Sequence, residues 1–163
     1  MNLKDFIRSI QDYPKKGILF RDITTLIKDE KAFAETINQI VEKSKKFQFN
    51  KIAAIESRGF VFASAVSYIL KKPFIMLRKK NKLPADVHSV DFELEYGTAT
   101  IEVHKDSINK NDNILIIDDL IATGGTAEAA AKLVEISNGK VAAFIFVINL
   151  FDLGGCDKLK KKN

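Results

Sequence analysis

The chain has 163 residues, 46% of them hydrophobic, with one cysteine, a net charge of +5 and a pI of about 9.2. That is enough apolar material for one ordinary core and argues against disorder, while Cys156 alone excludes an intramolecular disulfide and fits a reducing cytoplasm. The opening MNLKDFIRSIQDY lacks the apolar core of a signal peptide, and no run reaches the roughly 18–20 apolar residues of a membrane span.

Residues 2–12 show helical spacing at Leu3, Phe6, Ile7 and Ile10. Residues 29–47 show it more strongly, with Phe33, Ile37, Ile40, Val41 and Phe47 on one stripe. KIAAIE (51–56) and PFIMLR (73–78) have the length and composition of buried strands, with GFVFASAVSYILK (59–71) as a helix between them. The polar stretch KKNKLPADVHS (79–89) has a proline and no period, which predicts a lid or binding loop. In VDFELEYGTATIEV (90–103), two alternating runs flank Tyr96-Gly97 and predict a half-buried hairpin. ILIID (114–118), a helix over roughly 126–137 and VAAFIFVINL (141–150) repeat the strand–helix–strand rhythm. The whole predicts an α/β fold, a mostly parallel sheet flanked by helices. Basic residues cluster at LRKKNK (77–82), able to attract a polyanion, and in the tail KLKKKN (158–163), which reads as a solvated feature rather than a nucleic-acid site.

The stretch ILIIDDLIATGGT (114–126) carries the chemistry. Ligands of open parallel sheets bind beyond the carboxyl ends of the strands, where ILIID sets Asp118 and Asp119. Thr123-Gly124-Gly125-Thr126 then turns into a helix, and backbone N–H groups at such a turn favour a phosphate. Carboxylates would repel a second phosphate but accept hydrogen bonds from vicinal hydroxyls, so the two features together describe a ribose 5-phosphate. Neither the GxxxxGK[ST] phosphate loop nor the GxGxxG dinucleotide fingerprint is present. ESRG (56–59) follows a strand and opens a helix, so its backbone can cradle a further anion with Arg58 as the charged partner.

IIDDLIATGGT resembles the signature of the type I phosphoribosyltransferases. YPKKGILFRDIT (13–24), IESRGFVF (55–62), RKKNKLP (78–84) and LEYGTATIEVH (94–104) resemble, in order and spacing, the adenine-using branch of that family. The resemblance covers nearly the whole chain. It implies the type I phosphoribosyltransferase fold as a single domain over 1–163, with a base-binding hood within 1–28 and a lid loop and hairpin over 79–103. The implied reaction is purine salvage: phosphoribosyl pyrophosphate and adenine give AMP and pyrophosphate. Ala122, Thr123, Gly124, Gly125 and Thr126 would hold the 5-phosphate, and Asp118 and Asp119 the ribose hydroxyls. Ser57, Arg58, Arg78, Lys79 and Lys82 would meet the pyrophosphate, and the resemblance implies a strained peptide bond in the loop of Ser57. Phe20 would stack on the adenine while backbone groups of Arg21 read its edge. Glu95 and Tyr96 would stand at the reaction centre as catalytic residues. Glu93, two residues earlier, shares a hairpin face with Glu95 by alternation. Magnesium is implied as the cofactor, carried by the donor's oxygens and water with no direct protein ligand. His88 and His104 lack metal-ligand spacing. A homodimer in the cytoplasm, with no membrane and no specific nucleic-acid partner, completes the expectation.

Two positions depart from the family pattern: Asn81, and also Ala85, stand where the lid loop usually has glycine. The chain also stops soon after FDLGGCDKL (151–159), where relatives commonly add a strand. A sister transferase for guanine, hypoxanthine or xanthine remains open, because base choice rests on a few hydrogen bonds. So does a donor-sensing regulator, although the hood begins too near the N-terminus to leave room for a DNA-reading module.

Overall fold

The computed structural model describes residues 1–94 and 97–161, and the chain forms two compact units, Met1–Lys43 and Ser44–Asn163. In the first, a 3-10 turn (Leu3–Phe6) leads into β1 (Arg8–Gln11), which pairs antiparallel with β2 (Leu19–Asp22). The helix expected over 2–12 is therefore a single turn. Tertiary pairing overrides the local period: Ile10 lies opposite Phe20 across the ladder, and the proline at 14 bars a helix from continuing. The connection turns through Asp12 at φ 58° and a cis Tyr13–Pro14 bond, with Gly17 N donating to Asp12 Oδ1 at 2.6 Å. At the end of β2 the buried Asp22 carboxylate accepts from Thr24 N (2.9 Å) and Thr24 Oγ1 (2.7 Å) and pairs with Arg8. The Thr24 hydroxyl first, then Arg8, hold the Asp22 carboxyl down to about 2.

After α1 (Thr24–Ile27), Asp29 Oδ1 accepts from Lys31 N and Ala32 N and so opens α2 (Glu30–Ser44). The expected stripe is real, with Ile37 and Ile40 buried, but Phe47 lies beyond the helix and is exposed.

The second unit is built on β3 (Lys51–Ile55), α3 (Arg58–Leu70), β4 (Phe74–Lys79), β5 (Val87–Leu94), β6 (Gly97–His104), β7 (Asn113–Ile121), α4 (Gly125–Ile136) and β8 (Lys140–Asn149), closed by a short α5 (Gly155–Lys160). Six strands form one sheet in the order β5-β6-β4-β3-β7-β8. β4, β3, β7 and β8 are parallel, and the β5–β6 hairpin extends the sheet antiparallel through β6.

The strand order reverses direction between β3 and β7. β3 crosses over to β4 on one side and β7 to β8 on the other, so right-handed crossovers put α3 and α4 on opposite faces. The core follows this division. Ala53, Ile55, Leu77, Ile114 and Ile116 join Ala130, Leu133 and Val134 of α4, together with Val90, Ile101 and Val103 of the hairpin. The hairpin thus adds to the core, with Asp91 and Glu93 exposed on its other face. Among the described residues, no helix is long and apolar enough to cross a membrane.

Candidate functional site

The point of reversal is where a ligand crevice is expected in an open sheet, and a cleft of about 690 Å³ lies there at the carboxyl ends of β3 and β7. Asp118 and Asp119 line it from within β7, which runs three residues further than ILIID predicts. The reason is asymmetric pairing. β3 accompanies β7 only as far as Ile117, whereas β8 accompanies it to Ile121. Past Ile117 one edge of β7 is open, which lets both neighbouring carboxylates reach the same space.

These carboxylates are unequal. Asp119 is buried and accepts from Arg58 Nε at 2.8 Å. Asp118 Oδ1 accepts from Asp119 N at 2.8 Å. Burial pushes the Asp118 carboxyl well above the usual carboxylate range, and the neighbouring charge of Asp119 adds to the rise. Space for Asp118 is made by Gly59 in the first turn of α3: a Cβ there would lie 2.8 Å from Asp118 Oδ1 and 3.3 Å from Ile117 O.

The loop after β7 turns at Gly124, at φ +91°, a conformation that glycine adopts without strain. Gly125 begins α4, so the first-turn amides have no carbonyl four residues back and are directed to the cleft end of the helix. Ala122, Thr123, Gly124, Gly125 and Thr126 all line the cleft. The loop after β3 contributes Ser57 and Arg58, and its Glu56–Ser57 peptide is cis.

The cation run behaves less uniformly than expected. Lys79 lines the cleft with Lys80, which sequence reasoning did not single out. Arg78 instead donates to Glu56 Oε1 at 3.3 Å, and neither it nor Lys82 is among the cleft-lining residues. The same Glu56 Oε1 accepts from Lys79 N at 2.6 Å, and the buried Glu102 accepts from Asn81 N (2.8 Å) and Ser89 Oγ (2.7 Å). Two carboxylates thus pin the segment that the sequence presents as a lid or binding loop, and its irregular part is only residues 80–86. Asn81 sits at φ +66°, in the left-handed region that glycine enters most readily and asparagine more readily than most residues.

Phe146 of β8, opposite Asp118 in register, forms an apolar wall and stacks on Phe144 with centroids 5.8 Å apart. It was hidden in a run that reads simply as core. In the first unit, Phe20 packs edge-on against Tyr13 (5.1 Å) and Arg21 Nη1 donates to Ser9 Oγ at 2.6 Å. Glu95 and Tyr96 lie outside the described residues. Among the described residues, no group of three or more His, Cys, Asp and Glu is arranged to hold a metal.

A doubly wound sheet with a glycine anion loop and a carboxylate pair side by side at its switch point defines a site for a phosphorylated sugar. Comparison with known proteins makes the class specific. Residues 23–162 match the phosphoribosyl transferase domain family. The chain is 82% identical over 162 residues to the adenine phosphoribosyltransferase of Pelagibacter ubique, covering 99% of this chain and 93% of that one. The crystal structure of adenine phosphoribosyltransferase from Thermoanaerobacter pseudethanolicus aligns with a TM-score of 0.93 at 46% identity, over 96% of this chain and 91% of that one. The Saccharomyces cerevisiae adenine phosphoribosyltransferase, complexed with adenine and an imino-altritol bisphosphate, aligns with a TM-score of 0.89 at 33% identity, over 96% and 91%. The chain belongs to the adenine phosphoribosyltransferase family.

Proposed function

We propose that this protein is a purine-salvage glycosyltransferase that moves the 5-phosphoribosyl group of phosphoribosyl pyrophosphate to adenine, giving AMP and pyrophosphate. The observation that carries the reading is one cleft holding the Asp118–Asp119 pair beside the Ala122–Thr126 anion loop. The loop amides take the 5-phosphate, and the carboxylates accept hydrogen bonds from the ribose hydroxyls. A purine ring nitrogen attacks C1 as the bond from C1 to the pyrophosphate oxygen breaks. The bonding pair leaves with pyrophosphate, and the proton on the attacked base is released. Positive charge grows on the sugar meanwhile, as in glycoside chemistry.

Arg58, Ser57 and Lys79 face the leaving group, with Arg78 and Lys82 as outer contacts; Arg58 exchanges its Asp119 partner for pyrophosphate oxygens. Phe20 and the backbone of Arg21 bind adenine. Glu95, with Tyr96, serves the reacting centre as proton acceptor or electrostatic stabiliser, and a Glu95→Gln enzyme with undiminished turnover would remove that assignment.

Phosphoribosyltransferases of this type use magnesium with the donor. An oxygen-only carboxylate edge suits a hard cation that keeps its waters and rides on the donor's phosphates. When bound, magnesium supplies charge neutralisation of the pyrophosphate. The working unit is the whole chain as one phosphoribosyltransferase domain, with residues 1–28 as the hood and 79–103 as the lid. It acts as a cytoplasmic homodimer; the exposed Val61, Tyr68 and Ile69 on α3 offer an apolar surface for pairing.

The test is pyrophosphate release from phosphoribosyl pyrophosphate and magnesium, with adenine, hypoxanthine, guanine and xanthine in parallel. Release with adenine alone, matched by AMP, is expected. Release with another base moves the function to a sister transferase, and no release from protein that binds the donor points to a sensor.

A further inference from the structure

Every glycine of the Thr123–Thr126 turn has an obvious use, but the tightest glycine in this region lies outside the turn. Leu150 N donates to Ile121 O at 3.0 Å, and Gly155 N donates to Ala122 O at 3.0 Å, so the segment after β8 runs back beneath the anion loop. Gly155 is buried. A Cβ on it would overlap Ala122 O and stand 2.7 Å from Ile121 Cγ1 and 2.9 Å from Gly124 N. The contact is reciprocal, since a Cβ on Gly124 would stand 3.1 Å from Gly155 O and 3.2 Å from Gly155 Cα. Two glycine backbones are therefore pressed together: a methyl group on Gly155 has no room, and one on Gly124 would push its neighbour back by a few tenths of an ångström.

On the far side of the loop, Lys158 Nζ pairs with Glu128 Oε1 at 3.0 Å, and Glu128 N donates to Gly124 O at 2.9 Å. The segment thus holds the loop at both ends, at Ala122 and at the first turn of α4.

We propose that Gly155 is a positioning residue for the anion loop: its missing side chain lets the loop sit low enough for its amides to converge on a phosphate. Lys158 secures the same floor through Glu128. The proposal rests on the phosphoribosyl reading of the cleft. Gly155 does not line the cleft, and the loop after β3 is held by the Arg58–Asp119 pair rather than by the segment after β8. The floor therefore acts on one anion subsite and spares the other.

Gly155→Ala in the full chain is tested by titration with ribose 5-phosphate and, separately, with inorganic pyrophosphate, alongside hydrogen exchange of residues 121–127. A misaligned phosphate amide loses a charge-assisted hydrogen bond, so ribose 5-phosphate affinity should fall by about tenfold or more. Pyrophosphate affinity should stay within about twofold, because it draws on the other loop. The loop amides should exchange faster. Equal loss of both ligands, or loss of neither, overturns the proposal, since general destabilisation would not discriminate between them. If Gly155→Ala fails to fold, Lys158→Met decides instead: selective weakening of ribose 5-phosphate supports the floor, and an unchanged ratio refutes it. Wild-type protein that binds neither ligand overturns the functional reading and the proposal with it. Wild-type binding with an unmoved ratio in the variant overturns the proposal alone.

Discussion

The loops after β3 and β7 are neighbours in the sheet, both pass from strand to helix, and both have a glycine within two residues of the helix start, yet they use it for different physical ends. In the β7 loop, Gly124 shapes its own backbone through φ +91°, and in the proposed reading the phosphate is met by amides. In the β3 loop the turn itself contains no glycine; Gly59 stands one residue into α3 and makes room for a neighbour's carboxylate, Asp118. Charge there comes from the half-exposed Arg58, already engaged with Asp119. The division suits the proposed chemistry. A phosphate that stays on the sugar throughout is best held by fixed dipoles, whereas a departing pyrophosphate is best met by a side chain that can change partners.

The sharpest way to break this comparison is Gly59→Ala. A methyl group 2.8 Å from Asp118 Oδ1 must displace the carboxylate that we propose accepts from the ribose hydroxyls. Misplacement by about 1 Å can lower turnover by about a hundredfold. Steady-state assay of Gly59→Ala should show that loss with the fold retained by circular dichroism; a variant within about threefold of wild type would mean that Asp118 has space to spare.

Arg58→Ala comes next. It should weaken inhibition by pyrophosphate by about tenfold while leaving ribose 5-phosphate affinity within about twofold, as measured by product inhibition and calorimetry. Equal losses would show that the two loops do not divide the ligand as proposed.

The difference between the loops also explains how far the sequence could be read. The β7 loop is one continuous stretch, so Asp118, Asp119 and the glycine turn declare themselves together. The parallel strands, their helices and the hairpin were equally plain, because each is a local pattern of apolar residues. What stayed hidden depends on distant backbone. Residues 8–11 form a strand because 19–22 pair with them. β7 outruns β3, which only the register shows. Arg78 turns to Glu56, Glu102 anchors Asn81, and Gly155 lies under Ala122, each across more than twenty residues of sequence. The double glycine at 154–155 was the one local hint of that floor.

Asp118→Asn tests the electrostatic side of the β7 edge, with a smaller effect on stability. Burial raises the Asp118 carboxyl above its unfolded value, so the native state binds the proton more tightly than the unfolded chain. Wild-type stability therefore declines as pH rises from the usual carboxylate range towards the raised value. Asparagine removes that decline. At pH 8 the variant should gain at least about 1 kcal/mol, a Tm higher by about 3 °C, and the gain should vanish near pH 4. Its affinity for ribose 5-phosphate should fall, since one strong acceptor is lost. A stability difference independent of pH would assign the effect to packing instead.

The smallest effect is expected at Asn81, where the sequence resemblance implies a glycine. Asn81 already occupies φ +66°, a region that asparagine tolerates better than most residues. Its contact with the buried Glu102 runs through the backbone N–H, which glycine retains. Asn81→Gly therefore relieves a little conformational strain and adds a little unfolded-state freedom, two terms that nearly cancel. Stability should change by no more than roughly 0.5 kcal/mol, and kcat/KM by less than about twofold. Asn81→Val keeps the same N–H but forces a branched side chain into the left-handed region, at a cost of roughly 1–2 kcal/mol. If both variants lost activity equally, the asparagine side chain itself would have to act, and the loop's departure from glycine would carry a function of its own.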